Sequence, residues 1–380
     1  MKYRKFGRLD WKASVLGFGA MRLPIIGNDP SRIDEPQAIE MIRYAIDHGV
    51  NYLDTAYPYH EKQSEIVVGK ALLDGYREKV KLATKLPSWL VENPDDFDRF
   101  LDEQLEKLRT DHIDFYLLHA LNSTRWPKLR DWDVLNWAES ALTDGRIHYL
   151  GFSFHDDVEV FKDILNATDR WSFCQIQYNF MDIEYQAGIK GLQYAAEKGL
   201  AVVVMEPLRG GQLTTKIPKS VAELWERADI RRTPADWAFQ WIWNHPEVSV
   251  TLSGMSTMQH VIENLESADR SGEGILTDDE LSLIEKVREE YRRLAPVPCT
   301  NCKYCMPCPN GVEITTILEC YNESIIYDNP SASRSQYASL PEDEQADNCV
   351  ECFECEEKCP QGIPISEYLK KAHTWLNKQK

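Results

Sequence analysis

Two runs of cysteines near the end of the chain have a spacing suited to metal clusters. The first is Cys299-x2-Cys302-x2-Cys305-x2-Cys308-Pro309, and the second is Cys349-x2-Cys352-x2-Cys355-x3-Cys359-Pro360. Three cysteines at steps of three let one loop reach three corners of an iron–sulfur cube, while the cysteine before proline comes from farther along the chain. The two runs therefore predict two [4Fe–4S] clusters.

The ligands divide between the two clusters in a crossed pattern if the cysteine before each proline binds the other cluster. The two ligand sets are then Cys299, Cys302, Cys305 and Cys359, and Cys308, Cys349, Cys352 and Cys355. The first run has one residue fewer than the second between its third and fourth cysteines, so the exchange of ligands between the two clusters stays open. The alternative metal is structural zinc, but zinc takes four ligands and two runs of four fit it poorly. Cys174 and Cys320 lie outside the runs and are expected to be small buried side chains.

Four polar side chains at predicted strand ends form a second candidate for chemistry. Asp54, Lys85 and His119 each end an apolar run, and Tyr59 follows Asp54 in the same loop. Because the strands of a barrel deliver their carboxyl ends to one rim, these side chains are expected to meet there. An ammonium lowers the pKa of a nearby phenol, a carboxylate can hold that ammonium, and a histidine can orient a substrate oxygen. The set predicts proton and hydride transfer at a carbonyl.

The elements that must position these side chains follow from an alternation of short apolar runs with longer segments of helical spacing. Eight strands are predicted, at residues 15–19, 51–55, 80–85, 113–119, 148–153, 173–178, 200–206 and 248–254. Helices are predicted between them, including residues 35–48, 94–108, 187–198 and 233–244. Eight such units predict a (β/α)8 TIM barrel, with an open doubly wound sheet as the alternative. Residues 1–12 are predicted to form a hairpin over the barrel floor.

A domain boundary is predicted at residues 292–298, where Pro296 and Pro298 follow a helical segment. Residues 1–294 would form the barrel, and residues 295–380 a small cysteine-rich iron–sulfur domain. Within that domain, residues 312–324 are predicted to be a helix and residues 330–347 a polar surface loop.

Composition excludes several classes of partner. The 380 residues carry 61 acidic and 43 basic side chains, a formal charge of −18. This charge repels nucleic acid and anionic lipid surfaces. No apolar run approaches the roughly 20 residues that a bilayer requires, and the first residues are charged rather than signal-like. A cytoplasmic protein without nucleic-acid or membrane partners is expected, and its oligomeric state stays open.

The barrel residues resemble the aldo-keto reductase family over about residues 2–293. Asp54, Tyr59, Lys85 and His119 match that family's Asp–Tyr–Lys–His tetrad in order and strand position. Other matching stretches begin at Leu16, Gly49, Gly151, Gln177, Pro207 and Val250. The resemblance implies that Tyr59 is the general acid or base, that Lys85 and Asp54 tune it, and that His119 polarises the carbonyl.

The same resemblance implies a nicotinamide cofactor, NAD(H) or NADP(H). Ser153 and Gln177 would contact the carboxamide, and the loop around Gly210 the pyrophosphate. The full set of implied cofactor contacts is Gly19, Met21, Arg22, Ser153, Gln177, Pro207, Leu208, Gly210, Gly211, Leu213, Gly254, Ser256, Thr257, Gln259, Glu263 and Asn264. A 2′-phosphate is best bound by charged donors, and residues 254–260 contain no arginine. The absence of an arginine there weakly favours NADH over NADPH.

The cysteine-rich part resembles a dicluster ferredoxin domain, which leaves three ways in which the two parts could work together. The clusters could feed electrons to the barrel through a bound flavin or a radical intermediate, they could dock a redox partner protein, or they could be structural. The substrate would be a small carbonyl or alcohol. The alternative to an enzyme is a ferredoxin-like electron carrier or partner-binding subunit on a catalytically idle barrel.

Overall fold

The computed structural model of the protein describes residues 1–27, 29–215, 217–299, 303–359 and 361–378. Cys302 lies outside the described residues. A short hairpin pairs β1 (Tyr3–Lys5) with β2 (Lys12–Ser14). The strands that follow are β3 (Leu16–Gly19), β4 (Tyr52–Asp54), β5 (Lys81–Leu86), β6 (Ile113–Leu121), β7 (Ile147–Phe154), β8 (Trp171–Gln177), β9 (Ala201–Met205) and β10 (Val248–Gly254).

The strands β3 to β10 form a closed parallel barrel. Each pairs with the next in chain order, and β10 closes the ring by pairing with both β9 and β3. The barrel predicted from the sequence is therefore confirmed, and the open sheet is excluded. Leu16, Leu53, Leu82 and Val203 are fully buried, as expected for strands covered on both faces.

The amino-terminal hairpin places an aromatic plug in the barrel floor, as predicted. Phe6 is fully buried and packs against Tyr52, Phe115 and Phe173, with ring centroids 4.7–5.9 Å apart. The turn needs Gly7, whose φ is +54°, because a Cβ there would stand 2.3 Å from the amide nitrogen of Ala201.

A buried carboxylate ties together the amino ends of β5 and β6. Asp114 accepts hydrogen bonds from Lys81 Nζ at 2.7 Å and from the Leu82 amide at 3.0 Å, and pairs with Arg77 Nη2 at 2.8 Å. Burial alone would raise the pKa of Asp114. The attraction of Arg77, together with the bonds from Leu82 and Lys81, outweighs burial and holds that pKa below its usual range.

Helices connect the strands and continue beyond the last one. They are α1 (Glu35–Asp47), α2 (Ser64–Ala71), α3 (Asp96–Leu108), α4 (Arg125–Asp131), α5 (Val134–Thr143), α6 (Val158–Asn166), α7 (Gly188–Glu197), α8 (Lys219–Trp225), α9 (Pro234–Trp243), α10 (Met258–Asp269), α11 (Asp278–Leu294), α12 (Ile314–Ile326), α13 (Pro330–Ala338), α14 (Glu354–Glu357) and α15 (Ile365–Leu376). The four helices predicted between strands and the one predicted at 312–324 correspond to α1, α3, α7, α9 and α12.

The surface loop predicted at residues 330–347 is wrong in its first half, where α13 stands. Pro330 begins this helix, a position that suits proline because the first amide has no helical partner. Tyr337 is 2% exposed, and its hydroxyl accepts a hydrogen bond from the Ala346 amide at 3.1 Å. The otherwise polar helix buries Tyr337 together with Ser333, one turn before it.

The chain forms two compact units. One contains Met1–Gly210 and Ala235–Leu276, and the other contains Gly211–Pro234 and Thr277–Lys380. The second unit holds more of the chain than residues 295–380, and the boundary expected at 294 stays a prediction. Within the described residues, no helix has the length and apolar character needed to cross a membrane.

Candidate active site and cluster cysteines

Lys85 is the centre of a buried cluster at the carboxyl ends of the barrel strands. Its Nζ donates to Asp54 Oδ1 at 2.7 Å, to the Thr55 carbonyl oxygen at 2.8 Å and to the Tyr59 hydroxyl at 3.3 Å. Lys85 is 1% exposed and Asp54 is 2% exposed. The structure thus brings together three of the four predicted side chains around one ammonium.

The barrel strands explain this convergence. Asp54 is the last residue of β4 and lies opposite Ala83, while Lys85 lies near the end of the neighbouring β5. Strand β8 adds a residue that the sequence reasoning missed, because Gln175 Nε2 donates to Asp54 Oδ2 at 3.4 Å. Gln175 lies two residues after the inward-facing Phe173 and therefore on the same face of β8, and a polar residue at such a position was the available signal.

Asp54 and Lys85 form a buried ion pair. Burial raises the pKa of Asp54, although Lys85 and Gln175 oppose this. Burial alone would lower the pKa of Lys85, but the attraction of Asp54 and Tyr59 outweighs it and raises that pKa. The lysine therefore stays an ammonium at neutral pH, held in place on two sides.

Burial and the ammonium of Lys85 act on the protonation of Tyr59 in opposite directions. Burial raises the pKa of this phenol above its usual value, and the nearby Lys85 only partly offsets the effect. Lys85 does lower the pKa of Tyr59, as expected, but the removal of the phenolate from water has the larger effect, so the net direction is upward. Tyr59 holds its proton at neutral pH and can donate it.

His119, the fourth predicted residue, lies at the edge of this cluster. Its ring centroid is 6.2 Å from that of Tyr59 and 5.0 Å from that of Trp89. Burial moves the pKa of His119 well below its usual value, and the positive charge of Lys85 adds to this. Nδ1 is buried and has no hydrogen-bond partner within the described part of the chain. A neutral imidazole with an unsatisfied nitrogen is suited to a substrate oxygen.

The residues predicted to hold the nicotinamide carboxamide already bind protein groups. Ser153 Oγ accepts a hydrogen bond from the Ala120 amide at 2.7 Å. Gln177 Nε2 donates to Asp182 Oδ2 at 3.1 Å, and the same carboxylate pairs with Arg209 Nε at 2.9 Å. Both side chains lie at the carboxyl ends of their strands, as predicted, and Gln177 would have to exchange a partner to bind a cofactor.

Arg22 lies where two of the predicted cofactor segments meet. A Cβ on Gly210 would stand 3.0 Å from Arg22 Nη2, and a Cβ on Gly254 would stand 3.1 Å from Arg22 Cγ. Ser256 Oγ donates to the Arg22 carbonyl oxygen at 2.9 Å. Residues 254–260 hold no arginine, but Arg22 reaches them from the turn Ala20–Arg22 after β3, and the two glycines leave room for its side chain.

The other predicted cofactor residues are spread over the same strand ends and the loops that follow. Thr257 caps α10 by accepting a bond from the His260 amide, Gln259 donates to Glu263 at 2.8 Å, and Asn264 donates to Ser253 Oγ at 3.0 Å. Gly19 is buried at the end of β3, and Met21 is 55% exposed. After β9, Pro207 is buried, Leu208 is half-buried, Gly211 has a φ of +97°, and Leu213 is buried.

Four of the predicted cluster cysteines line one cleft in the second unit. They are Cys308, Cys349, Cys352 and Cys355, the set expected if the two runs exchange their last ligands. These four and Cys359 form no disulfide. Four thiols gathered in one cleft fit a [4Fe–4S] cluster, and the division of ligands stays a prediction.

The remaining cysteines fall into two groups. Cys299 and Cys359 are half-buried and Cys305 is buried, all against one apolar core. Cys174 and Cys320 are fully buried, as expected. Burial raises the pKa of the Cys320 thiol to about 12, with repulsion from Glu323 and Glu319 adding to it, which fits a packing role.

Comparison with known proteins places the two parts of the chain separately. The model of the aldo/keto reductase family matches residues 15–289, and that of a 4Fe-4S dicluster domain matches residues 298–364. The uncharacterized oxidoreductase YrpG of Bacillus subtilis (strain 168) is 26% identical over 312 residues, which cover 71% of this chain and 92% of that protein. The 6-dehydroglucose reductase of Novosphingobium aromaticivorans is 26% identical over 287 residues, covering 70% and 90%.

Solved structures agree on the barrel. The holo form of an aldo-keto reductase from Bacillus halodurans is 27% identical, with a TM-score of 0.63 over 76% of this chain and 96% of that one. An aldo-keto reductase from Klebsiella pneumoniae in complex with NADPH is 24% identical, with a TM-score of 0.61 over 76% and 95%. Since the first family model spans well over half of the residues, the chain belongs to the aldo/keto reductase family and carries a 4Fe-4S dicluster domain after its barrel.

Proposed function

We propose that the barrel interconverts a carbonyl and an alcohol by nicotinamide-dependent hydride transfer, and that two [4Fe–4S] clusters connect this chemistry to electron transfer. The observation that carries the proposal is the contact of Lys85 Nζ with both Asp54 and Tyr59. An ammonium buried between a carboxylate and a phenol has little value for packing. It is suited to a phenol that must give up and regain a proton.

In the direction of reduction, Tyr59 donates its hydroxyl proton to the carbonyl oxygen. A nicotinamide, when bound, would supply the hydride for the carbonyl carbon, and the product would be an alcohol. Lys85 stabilises the phenolate that remains, while Asp54, held by Gln175, keeps the ammonium in place. The neutral His119 orients the substrate oxygen, and Tyr59 regains a proton from solvent.

For the dinucleotide, the chain offers Arg22 as the charged contact. Its side chain lies against Gly210 and Gly254, and each of these glycines lacks the Cβ that would fill the space. A guanidinium there suits a phosphate group. Because NADH and NADPH share the pyrophosphate, only a contact of Arg22 with the 2′-phosphate would favour NADPH.

The cysteine sets would hold the two clusters, which supply electrons singly. A hydride carries two electrons, so direct exchange with one cluster is difficult, and a bound flavin would provide the conversion. A redox partner protein is the other route. Cys352 is exposed, and Val350 and Phe353 beside it are 64% and 50% exposed, which supports contact of this cluster with a partner.

Tyr59→Phe tests the barrel chemistry, with Tyr57→Phe as its matched control. Tyr57 stands in the same loop, but its hydroxyl contacts Glu103 at 3.1 Å rather than Lys85. Loss of a general acid should slow carbonyl reduction about 10²- to 10⁴-fold. The control should retain most of the rate. If Tyr59→Phe leaves every reduction unchanged, the chain is an electron carrier on an idle barrel.

Coupling between the two parts is tested on protein purified without oxygen. Iron, sulfide and flavin are assayed first, and the protein is then titrated with NADH and NADPH while the cluster absorbance is followed. Bleaching of the clusters would support electron exchange, and the flavin content would say by which route. Clusters that stay oxidised during carbonyl reduction would contradict internal coupling.

A further inference from the structure

The rim next to His119 holds two side chains that the proposed reaction does not use. Trp89 lies in the 3-10 turn Ser88–Leu90 after β5, and Arg125 is the first residue of α4 after β6. The Trp89 ring contacts His119 with centroids 5.0 Å apart, and the Arg125 guanidinium carbon lies 5.3 Å from the centroid of the same indole. A single indole therefore connects a cation to the group that would orient the carbonyl.

Arg125 is half-buried and, among the described residues, pairs with no carboxylate. Its Nη1 donates to the Ala120 carbonyl oxygen at 2.8 Å, which fixes the side chain beside the end of β6. Burial lowers the pKa of this guanidinium. Arg146, by contrast, pairs with Asp98 and Asp144 on the surface. A guanidinium has five N–H donors, so Arg125 has further donors with which it can bind a carboxylate.

We propose that Arg125 binds a carboxylate of the substrate, and that the barrel acts on an oxo acid in which an apolar spacer separates carbonyl and carboxylate. The inference rests on the proposed function and names its substrate class. The carbonyl lies at Tyr59 and His119, the spacer packs on Trp89, and the carboxylate reaches Arg125. A 2-oxo acid, whose two groups are adjacent, has no spacer to lie along the indole.

The negative charge of the protein means that an anionic substrate needs a local cation to bind. The chain carries a formal charge of −18, so an anionic substrate has to be attracted locally. Arg125 and Lys85 both raise the local positive potential, since each lowers the pKa of His119. Lys85 is occupied by Asp54, Thr55 and Tyr59. Among the described residues beside His119, Arg125 therefore has donors left for a ligand.

The test compares 4-carboxybenzaldehyde with benzaldehyde, which share the ring and the aldehyde and differ in the carboxylate. The full-length protein should prefer the anion in kcat/KM. Arg125→Gln should reduce the ratio of the two kcat/KM values about 10- to 100-fold, mainly through KM, the usual effect of losing a charge-assisted hydrogen bond. Lys128→Gln is the matched control, because Lys128 lies in the same helix and contacts the Val91 carbonyl and Trp132 instead.

Calorimetric binding of 4-(hydroxymethyl)benzoate against benzyl alcohol gives a second measurement that needs no turnover. It should show the same preference, and Arg125→Gln should lose it. An unchanged ratio in Arg125→Gln, or an equal loss in Lys128→Gln, overturns the assignment. A protein that reduces benzaldehyde without any preference for the anion refutes this inference alone. A protein that reduces neither aldehyde and binds neither alcohol refutes the proposed function as well.

Discussion

Removal of the buried ammonium by Lys85→Met should destabilise the protein as well as inactivate it. The side chains of Lys85 and Asp54 are 1% and 3% exposed and form an ion pair at 2.7 Å. Loss of one partner leaves the carboxylate buried without a counter-charge, which costs about 3–5 kcal/mol. At about 2–4 °C per kcal/mol for a domain of this size class, the melting temperature should fall by about 6–20 °C.

The second substitution Asp54→Asn should restore part of this loss. The double variant has no buried charge, and the asparagine oxygen can still accept the bond from Gln175. Its free energy of unfolding should exceed that of Lys85→Met by about 2 kcal/mol or more, while carbonyl reduction stays absent. This rescue separates the cost of an unpaired charge from the cost of lost packing.

The control is Lys79→Met, which removes a lysine from an exposed ion pair. Lys79 and Asp47 are 2.9 Å apart, but their side chains are 48% and 45% exposed. Such a pair contributes at most about 1 kcal/mol. Unfolding is followed by far-ultraviolet circular dichroism in denaturant and on heating. The explanation by an unpaired buried charge is contradicted if Lys85→Met is as stable as Lys79→Met. It is also contradicted if adding Asp54→Asn to Lys85→Met lowers the stability further.

Further predictions concern pH, the clusters and the nucleotide. The raised pKa of Tyr59 should keep kcat for reduction flat through neutral pH and let it fall only above about pH 10, while alcohol oxidation should rise with pH; a loss of reduction near pH 7 would contradict this. Because the pKa of Asp114 is lowered in the folded protein, its stabilising effect is complete above the usual value of about 4 and is lost as pH falls through the lowered one. Asp114→Asn should therefore flatten the acid side of a plot of melting temperature against pH, and an unchanged slope would refute this. Cys352→Ser should lose about half of the bound iron and all electron transfer to a protein partner, but should keep nicotinamide-linked turnover. The control Cys320→Ser should keep all of its iron. Equal iron contents in the two variants would count against the assignment of Cys352 as a ligand. Arg22→Gln should raise KM for the dinucleotide about tenfold, and a larger effect with NADPH than with NADH would locate the 2′-phosphate.

The sequence was sufficient for the features that depend on periodicity and spacing. The eight apolar runs predicted the strands within one to two residues at almost every end, because a strand buried on both faces has a continuous apolar signal. The positions of Asp54, Lys85 and His119 at strand ends follow from the same pattern. The cysteine runs were recognised from their spacing alone, whereas the fold was needed to bring Cys308 beside the second run. The helix α13 was missed because it buries one aromatic side chain, Tyr337, in an otherwise polar segment.

The balance of charge against burial could not be read from the sequence. Lys85 next to Tyr59 predicts a lowered phenol pKa only if both groups are hydrated, and the barrel removes the water. The rim shows the same limit, because Trp89 follows β5 while His119 and Arg125 lie in β6 and at the start of α4, and only the closed barrel puts them side by side. The motif thus determines which proton can move, while the packing around it determines where that proton rests at neutral pH. A relative with the same four residues but a wetter rim would hold more phenolate and would be better suited to alcohol oxidation.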